Sequence, residues 1–230
     1  MKHYPLSPSP DLVLPHRQPL PVVIDWTHWQ QRRASVLATT PDVPPYLVLP
    51  EVHRILAAVL DQQLHALINV LWQTGARISE ALAIKSDDLE LNSVRDSRVL
   101  LANSKRKPGR PAKRGRHDPK RWVPLIDPAI IDELRRYLVT TKARAGEPIF
   151  TLNRQQVDYQ LKKIHAQLPL PIDGLSAHTF RHSYAVNCLF QGRDIRTIQA
   201  WLGHADLEST LVYLKVLSGE THHLAYGMQF

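Results

Sequence analysis

Apolar residues recur at Val52, Ile55, Leu56, Val59 and Leu60, the i, i+3, i+4, i+7, i+8 spacing of an amphipathic helix, with Pro50 suited to its first turn. Leu64, Leu67, Ile68, Leu71 and Trp72 repeat the pattern, and Gly75 breaks this second helix just before ISEALAI (78–84) starts another. Asp88 to Leu91, Arg98 to Ala102 and Arg121 to Ile126 read as short strands, the last two joined by a long hairpin. Helical spacing returns over Asp127 to Thr141, which buries Ile130, Ile131, Leu134, Tyr137 and Leu138, and over Arg154 to Leu168, with Val157, Leu161, Ile164 and Leu168 inward. Ser176 or Thr179 can cap the next helix, and Asp206 is placed to cap a last one whose stripe is Leu207, Leu211 and Leu214. Tyr213 falls off that stripe. The pattern predicts a mainly α fold with a small three-stranded antiparallel sheet, an α+β arrangement.

Residues 1–45 behave differently, because they hold nine of the eighteen prolines and only Ile24 to Leu37 can make a helix of useful length. They are expected to form a Pro-rich arm in front of a domain over 46–217, with 218–230 as a tail carrying His222 and His223. Trp26 and Trp29 either staple the arm to the domain or, with His28, contact a ligand surface. Lys162, Lys163 and His165 read as a solvated face.

A chain of 230 residues with 43% hydrophobic composition has enough apolar surface for one good core. No apolar run approaches the ~20 residues of a membrane helix, and the prolines at 5, 8, 10 and 15 interrupt any signal-peptide core, so a soluble, cytoplasmic protein is expected. The single Cys188 can form no internal disulfide and reads as a small core residue. Charge changes the picture more. Lys105, Arg106, Lys107, Arg110, Lys113, Arg114, Arg116, Lys120 and Arg121, against Asp118 alone, concentrate the chain's whole net charge of +8 in the hairpin between residues 104 and 121. A polyanion should meet this segment, and duplex DNA, with one charge per ~1.7 Å, fits best. Its PGRP (108–111) is similar to the core of a minor-groove AT-hook; plain phosphate contact is the other reading.

The last stretch, LSAHTFRHSYAVNCLFQGRDIRTIQAWLGHADLESTLVYLKVL (175–217), carries the chemistry. His178 and Arg181 lie three apart and are neighbours on a helix. The guanidinium fork matches two phosphate oxygens, His204 of the Leu-Gly-His can hold or move a proton, and Tyr213 offers a hydroxyl nucleophile, so phosphoryl transfer without a metal is the natural reading. Zinc on His178, His182 and His204 is the competing one, but HTFRH lacks the Glu of HExxH and Arg181 would repel a cation. Arg77, at the break after Gly75, either pairs with Glu80 three residues on or binds phosphate.

TGARISEAL (74–82), HTFRH (178–182) and WLGHADLESTLVY (201–213), in this order, resemble the tyrosine recombinases of the phage integrase family over about 45–216. The resemblance implies a tyrosine recombinase catalytic domain, with the first forty or so residues too few for the family's separate N-terminal DNA-binding domain. It implies Tyr213 as the nucleophile that forms a 3′-phosphotyrosyl link, Arg77 and Arg181 on the non-bridging oxygens, and His178 and His204 assisting proton movement. The family's lysine general acid aligns best with Lys105, although Lys107, Lys113 and Lys120 lie nearby. No cofactor is implied. Double-stranded DNA is the implied partner, with two protomers per site, four per synapse and a nucleoid-associated location. A relaxing topoisomerase of the same chemistry and a catalytically silent DNA-binding regulator are the alternatives.

Overall fold

The computed structural model describes residues 23–102, 120–217 and 221–225, and of the last group His222 and His223 by backbone only. Lys105, Arg106, Lys107, Arg110, Lys113, Arg114 and Arg116, with PGRP, lie outside the described residues. Helices α1 (Trp26–Thr39), α2 (Leu49–Ala58), α3 (Gln62–Thr74) and α4 (Ile78–Ala81) precede strands β1 (Leu89–Glu90), β2 (Arg98–Ala102) and β3 (Lys120–Pro124). Helices α5 (Pro128–Thr141), α6 (Arg154–Gln167), α7 (Ala177–Phe190), α8 (Ile195–Leu202) and α9 (Glu208–Leu211) follow, then a 3₁₀ segment (Val212–Val216) and α10 (His222–Ala225). The strands pair in sequence order, both pairs antiparallel. No helix among the described residues is long and apolar enough to cross a membrane.

Most helix starts follow from side-chain chemistry. Asp61, Asp127, Asn153 and Ser176 each accept a backbone N–H from the first turn of α3, α5, α6 and α7. The centre is α3, buried on nearly every side, with α2, α5 and α7 packed against it. It ends at Gly75, which takes a left-handed φ of 61°; a Cβ there would come within 2.5 Å of the Tyr184 ring.

The apolar interior forms two clusters. The larger joins α2 to α6 and the sheet; the smaller gathers Trp29, Val43, Tyr46 and Val48 with Tyr184, Phe190, Ile198, Tyr213 and Val216. The arm helix therefore belongs to the core. Trp29 stacks on Phe190 at 4.1 Å, and Trp26 meets the same ring edge-on, the stapling arrangement. Cys188 is a buried core residue, as expected, and burial pushes its thiol up to about 12.

Three local expectations are corrected. The helix after Gly75 stops after a single turn at Ala81. Leu60, counted in the first stripe, lies beyond the end of α2 and is 96% exposed. Asp206 caps nothing: α9 begins at Glu208 behind Leu207, which is already helical in backbone. The chain then tightens to 3₁₀ winding, in which side chains eclipse every third residue. Thr210, Tyr213 and Val216, three apart, are the buried face, and Leu214 is exposed. The stripe read at 3.6 residues per turn is thus replaced by one of period three, and Tyr213 lies on it.

One buried ion pair joins arm to domain. Both side chains are almost inaccessible, with Arg33 Nη1 and Nη2 donating to Glu51 Oε2 at 2.6 Å and Oε1 at 2.7 Å; Glu51 Oε2 also accepts the Val48 N–H that starts α2. Glu51→Ala should cost about 3–5 kcal/mol, the usual effect of stranding a buried charge. Arg33→Met with Glu51→Leu should recover most of it, short of about 1 kcal/mol for the lost cap. Urea unfolding midpoints decide; a single variant as stable as the parent would mean the pair contributes nothing.

Candidate active site

The site is built around one buried carboxylate. Arg77 starts α4 directly after the Gly75 turn, and Glu80 at the third position of that helix reaches back to accept its backbone N–H at 2.9 Å. The Glu80 oxygens also accept from Arg77 Nη1 at 2.8 Å and from Arg121 Nη1 and Nη2 at 3.1 and 2.8 Å. Burial alone would raise this carboxyl, but the hydrogen bonds and charge of Arg121, then those of Arg77, leave it below its ordinary value.

The same arginines grip the C-terminus of α8, where carbonyls lack helical partners and carry partial negative charge. Arg121 Nε donates to Trp201 O at 2.6 Å, Arg181 Nη2 to Leu202 O at 2.7 Å, and Arg77 Nη2 to Gly203 O at a longer 3.4 Å. Three consecutive carbonyls thus meet three guanidinium groups. Arg181 also donates Nη1 to Gly75 O at 2.6 Å, which ties the end of α3 to the end of α8. Gly203 is required at this approach, because its φ is 66° and a Cβ would lie 2.8 Å from Arg121 Nη1.

His204 follows immediately, and its Nδ1 is 2.9 Å from Thr210 Oγ1. Burial, then the charges of Arg181, Arg77 and Arg121, push it down to about 3, so it is neutral near pH 7. Burial and Arg77 likewise push Arg181 down to about 9, still charged at neutral pH. Tyr213, 2% exposed, has its hydroxyl 2.8 Å from His182 Nδ1, and burial raises it to about 12 against the opposing effect of Arg181. The expectation that Tyr213 falls off the buried stripe is corrected accordingly. His178 is exposed on the first turn of α7, and its ring lies 6.3 Å from that of His182 in a stacked arrangement.

The structure therefore brings Arg77, Arg181, His204 and Tyr213 together, with His178 one turn of α7 from His182. Arg121, expected on the DNA-contacting hairpin, is corrected to an inward position: its side chain is 12% exposed, with Nε, Nη1 and Nη2 all donating to Glu80 or Trp201. Lys120 beside it is exposed. Sequence reasoning gave Glu80 only as a possible partner for Arg77 and His182 only as a possible zinc ligand. Alternation along β3 held the signal for Arg121, since Val123, two residues on, shares its face and is buried. Chemically, three guanidinium groups around one carboxylate, beside a neutral imidazole and a phenol, form a cationic site of the kind that can receive a phosphate group.

The family model described as the phage integrase family matches residues 46–220. Among known proteins, the chain is 33% identical over 222 residues to a probable site-specific recombinase in the afa region of Escherichia coli, covering 93% of this chain and 86% of that protein. It is 32% identical over 232 residues to a resolvase of Escherichia coli strain K12, covering 91% and 86%. Its fold is similar to that of the XerH site-specific recombinase bound to difH substrate (TM-score 0.61, 24% identity, 74% of this chain) and spans half of that chain. It is also similar to the catalytic domain of bacteriophage HP1 integrase (TM-score 0.53, 20% identity), covering 80% of this chain and 99% of that domain.

The neutral histidines set a pH dependence. His182 is pushed down to about 4, by burial first and then by His178 and Arg181, and His204 to about 3. An unfolded histidine titrates near ~6.5, so between that value and the folded ones the unfolded chain binds protons that the folded chain does not. Their stabilisation is complete above about pH 6.5 and drains away as pH falls toward 4. Melting temperature should therefore fall between pH 7 and 4.5, and His182→Gln or His204→Gln should each flatten the slope by up to about one proton. Equal slopes in parent and variants would show that neither ring resists protonation.

Proposed function

The chain belongs to the phage integrase family and is a tyrosine site-specific recombinase acting on DNA, and from that premise we propose which side chains carry the reaction. Tyr213 Oη attacks the scissile phosphorus, a P–O bond to the tyrosine forms, and the bond to the 5′ oxygen breaks. The 3′ end stays linked to the protein and the 5′ oxygen leaves as a hydroxyl. Attack by a second strand's 5′ hydroxyl reverses the step and releases Tyr213. The energy of the broken bond is held in the link, so no nucleotide is consumed.

Arg77 and Arg181 stabilise the charge that builds on the non-bridging oxygens, and His178 and His204 hold the phosphate and assist proton movement. Lys105 protonates the departing oxygen. The basic residues 105–120 of the hairpin hold the duplex backbone and Arg121 anchors the hairpin's base. Two protomers act on each recombination site and four in a synapse. A single observation carries this reading: Arg77, Arg181 and His204 converge on the end of α8, where the field of Arg181 also reaches the Tyr213 phenol.

On a nicked suicide duplex bearing the cognate site, the protein should form a denaturant-resistant adduct that survives a chelator, and Tyr213→Phe should form none. An adduct persisting in Tyr213→Phe would move the nucleophile elsewhere. Lys105→Ala should slow cleavage by about 10²–10⁴, the range for a lost general acid. A thiol, with a pKa of about 8.5, leaves unaided, so a 5′-thio substrate should restore Lys105→Ala and leave Arg181→Ala impaired. Rescue of Lys107→Ala, Lys113→Ala or Lys120→Ala instead would reassign the acid.

A further inference from the structure

Attack by a phenol requires that its proton go somewhere, and the contact that receives it is already formed. Tyr213 Oη lies 2.8 Å from His182 Nδ1, with the two ring centroids 5.9 Å apart. His204, by contrast, has its Nδ1 engaged by Thr210 Oγ1, and His178 stands at the exposed start of α7. His182 is placed by its helix: Arg181, one residue before it, is fixed to Gly75 O and Leu202 O, and Ser183, one residue after it, donates to Thr179 O and accepts from Leu47 N. With α7 pinned on both sides and the ring itself part-buried, Nδ1 sits within hydrogen-bond reach of the phenol.

We propose that His182 is a catalytic residue that takes the phenol proton of Tyr213 as the hydroxyl attacks the scissile phosphate. The step balances: the O–H bond of Tyr213 breaks, its electron pair forms the bond to phosphorus, the proton passes to Nδ1, and the P–O5′ bond breaks as the leaving oxygen takes a proton from its own acid. This inference rests on Tyr213 being the nucleophile. In the tautomer protonated at Nε2, neutral Nδ1 is an acceptor. The charged and titratable groups around the ring are His178 and Arg181 on α7, His204 after α8 and Tyr213 on the 3₁₀ segment. Burial and the cationic Arg181 keep the ring neutral in the free protein. An arriving phosphate anion favours the imidazolium and so strengthens the base when substrate is bound.

The test is the pH profile of single-turnover cleavage on the suicide duplex between pH 6 and 9. His182→Asn keeps an acceptor near the Nδ1 position but removes basicity. It should bind duplex as the parent does, cleave about 10²–10⁴-fold more slowly at pH 7, and recover about tenfold per pH unit as hydroxide supplies the phenolate. 3,5-Difluorotyrosine at position 213, a more acidic phenol, should narrow the deficit further. A deficit independent of pH, parent-like cleavage by His182→Asn, or hydroxide dependence appearing in His178→Asn instead would overturn the proposal. If the variant does not fold, the parent decides: on a 5′-thio substrate, which needs no acid, slower cleavage in D₂O reports the phenol proton in flight, and equal rates in H₂O and D₂O count against it. An adduct in Tyr213→Phe defeats the underlying reading; loss of that adduct together with a pH-independent His182→Asn defeats only this one.

Discussion

The rest of the site depends on a buried carboxylate that cannot neutralise everything around it. Glu80 accepts from Arg77 and Arg121, and those two, with Arg181, share the last carbonyls of α8. One carboxylate against three guanidinium groups leaves excess positive charge in a partly desolvated place, which full pairing would abolish and which would repel itself without Glu80. The helix end adds donors' partners without adding a full negative charge. A phosphate diester would supply what is lacking. The cost of holding these cations together is met by the fold in advance, the sense in which such a site is preorganised.

Neutrality is the other half of the design. The same cations and the same burial that prepare the site for an anion hold His204 and His182 unprotonated and keep the Tyr213 phenol intact at neutral pH. The uncharged imidazoles can accept protons, and the phenol holds its own at neutral pH. Period-three winding contributes to this arrangement. It aligns Thr210 with Tyr213, so the residue touching His204 and the residue touching His182 lie on one face of one short turn.

What was legible in the sequence is what local chemistry decides. The capping residue Ser176, the break at Gly75, the three strands and the helical stripes of α3, α5 and α6 are set by neighbours a few residues away, and the structure has them. The convergence of Arg77, Arg181, His204 and Tyr213 was legible only through the family's spacing, since 106 residues separate Arg181 from its partner Gly75. What was missed came from tertiary competition. Arg121 belongs by composition to the basic hairpin, but Glu80 and the Trp201 carbonyl outbid solvent for it. The final helix followed 3.6 residues per turn on paper, whereas burial of Thr210, Tyr213 and Val216 imposes three.

The position of α1 has a practical side. Trp29, Val43, Tyr46 and Val48 line the same apolar cluster as Tyr213 and Val216, and Lys215, on the 3₁₀ segment, pairs with Asp42 at 2.8 Å. The family match begins at residue 46, so a chain trimmed to that boundary would keep every residue of the signature. It would nonetheless lose Arg33 and leave Glu51 buried and uncompensated, and it would open the apolar wall behind the tyrosine to water. For this molecule, the smallest unit that keeps the Tyr213 side chain packed starts before the family match does, at the helix that begins with Trp26.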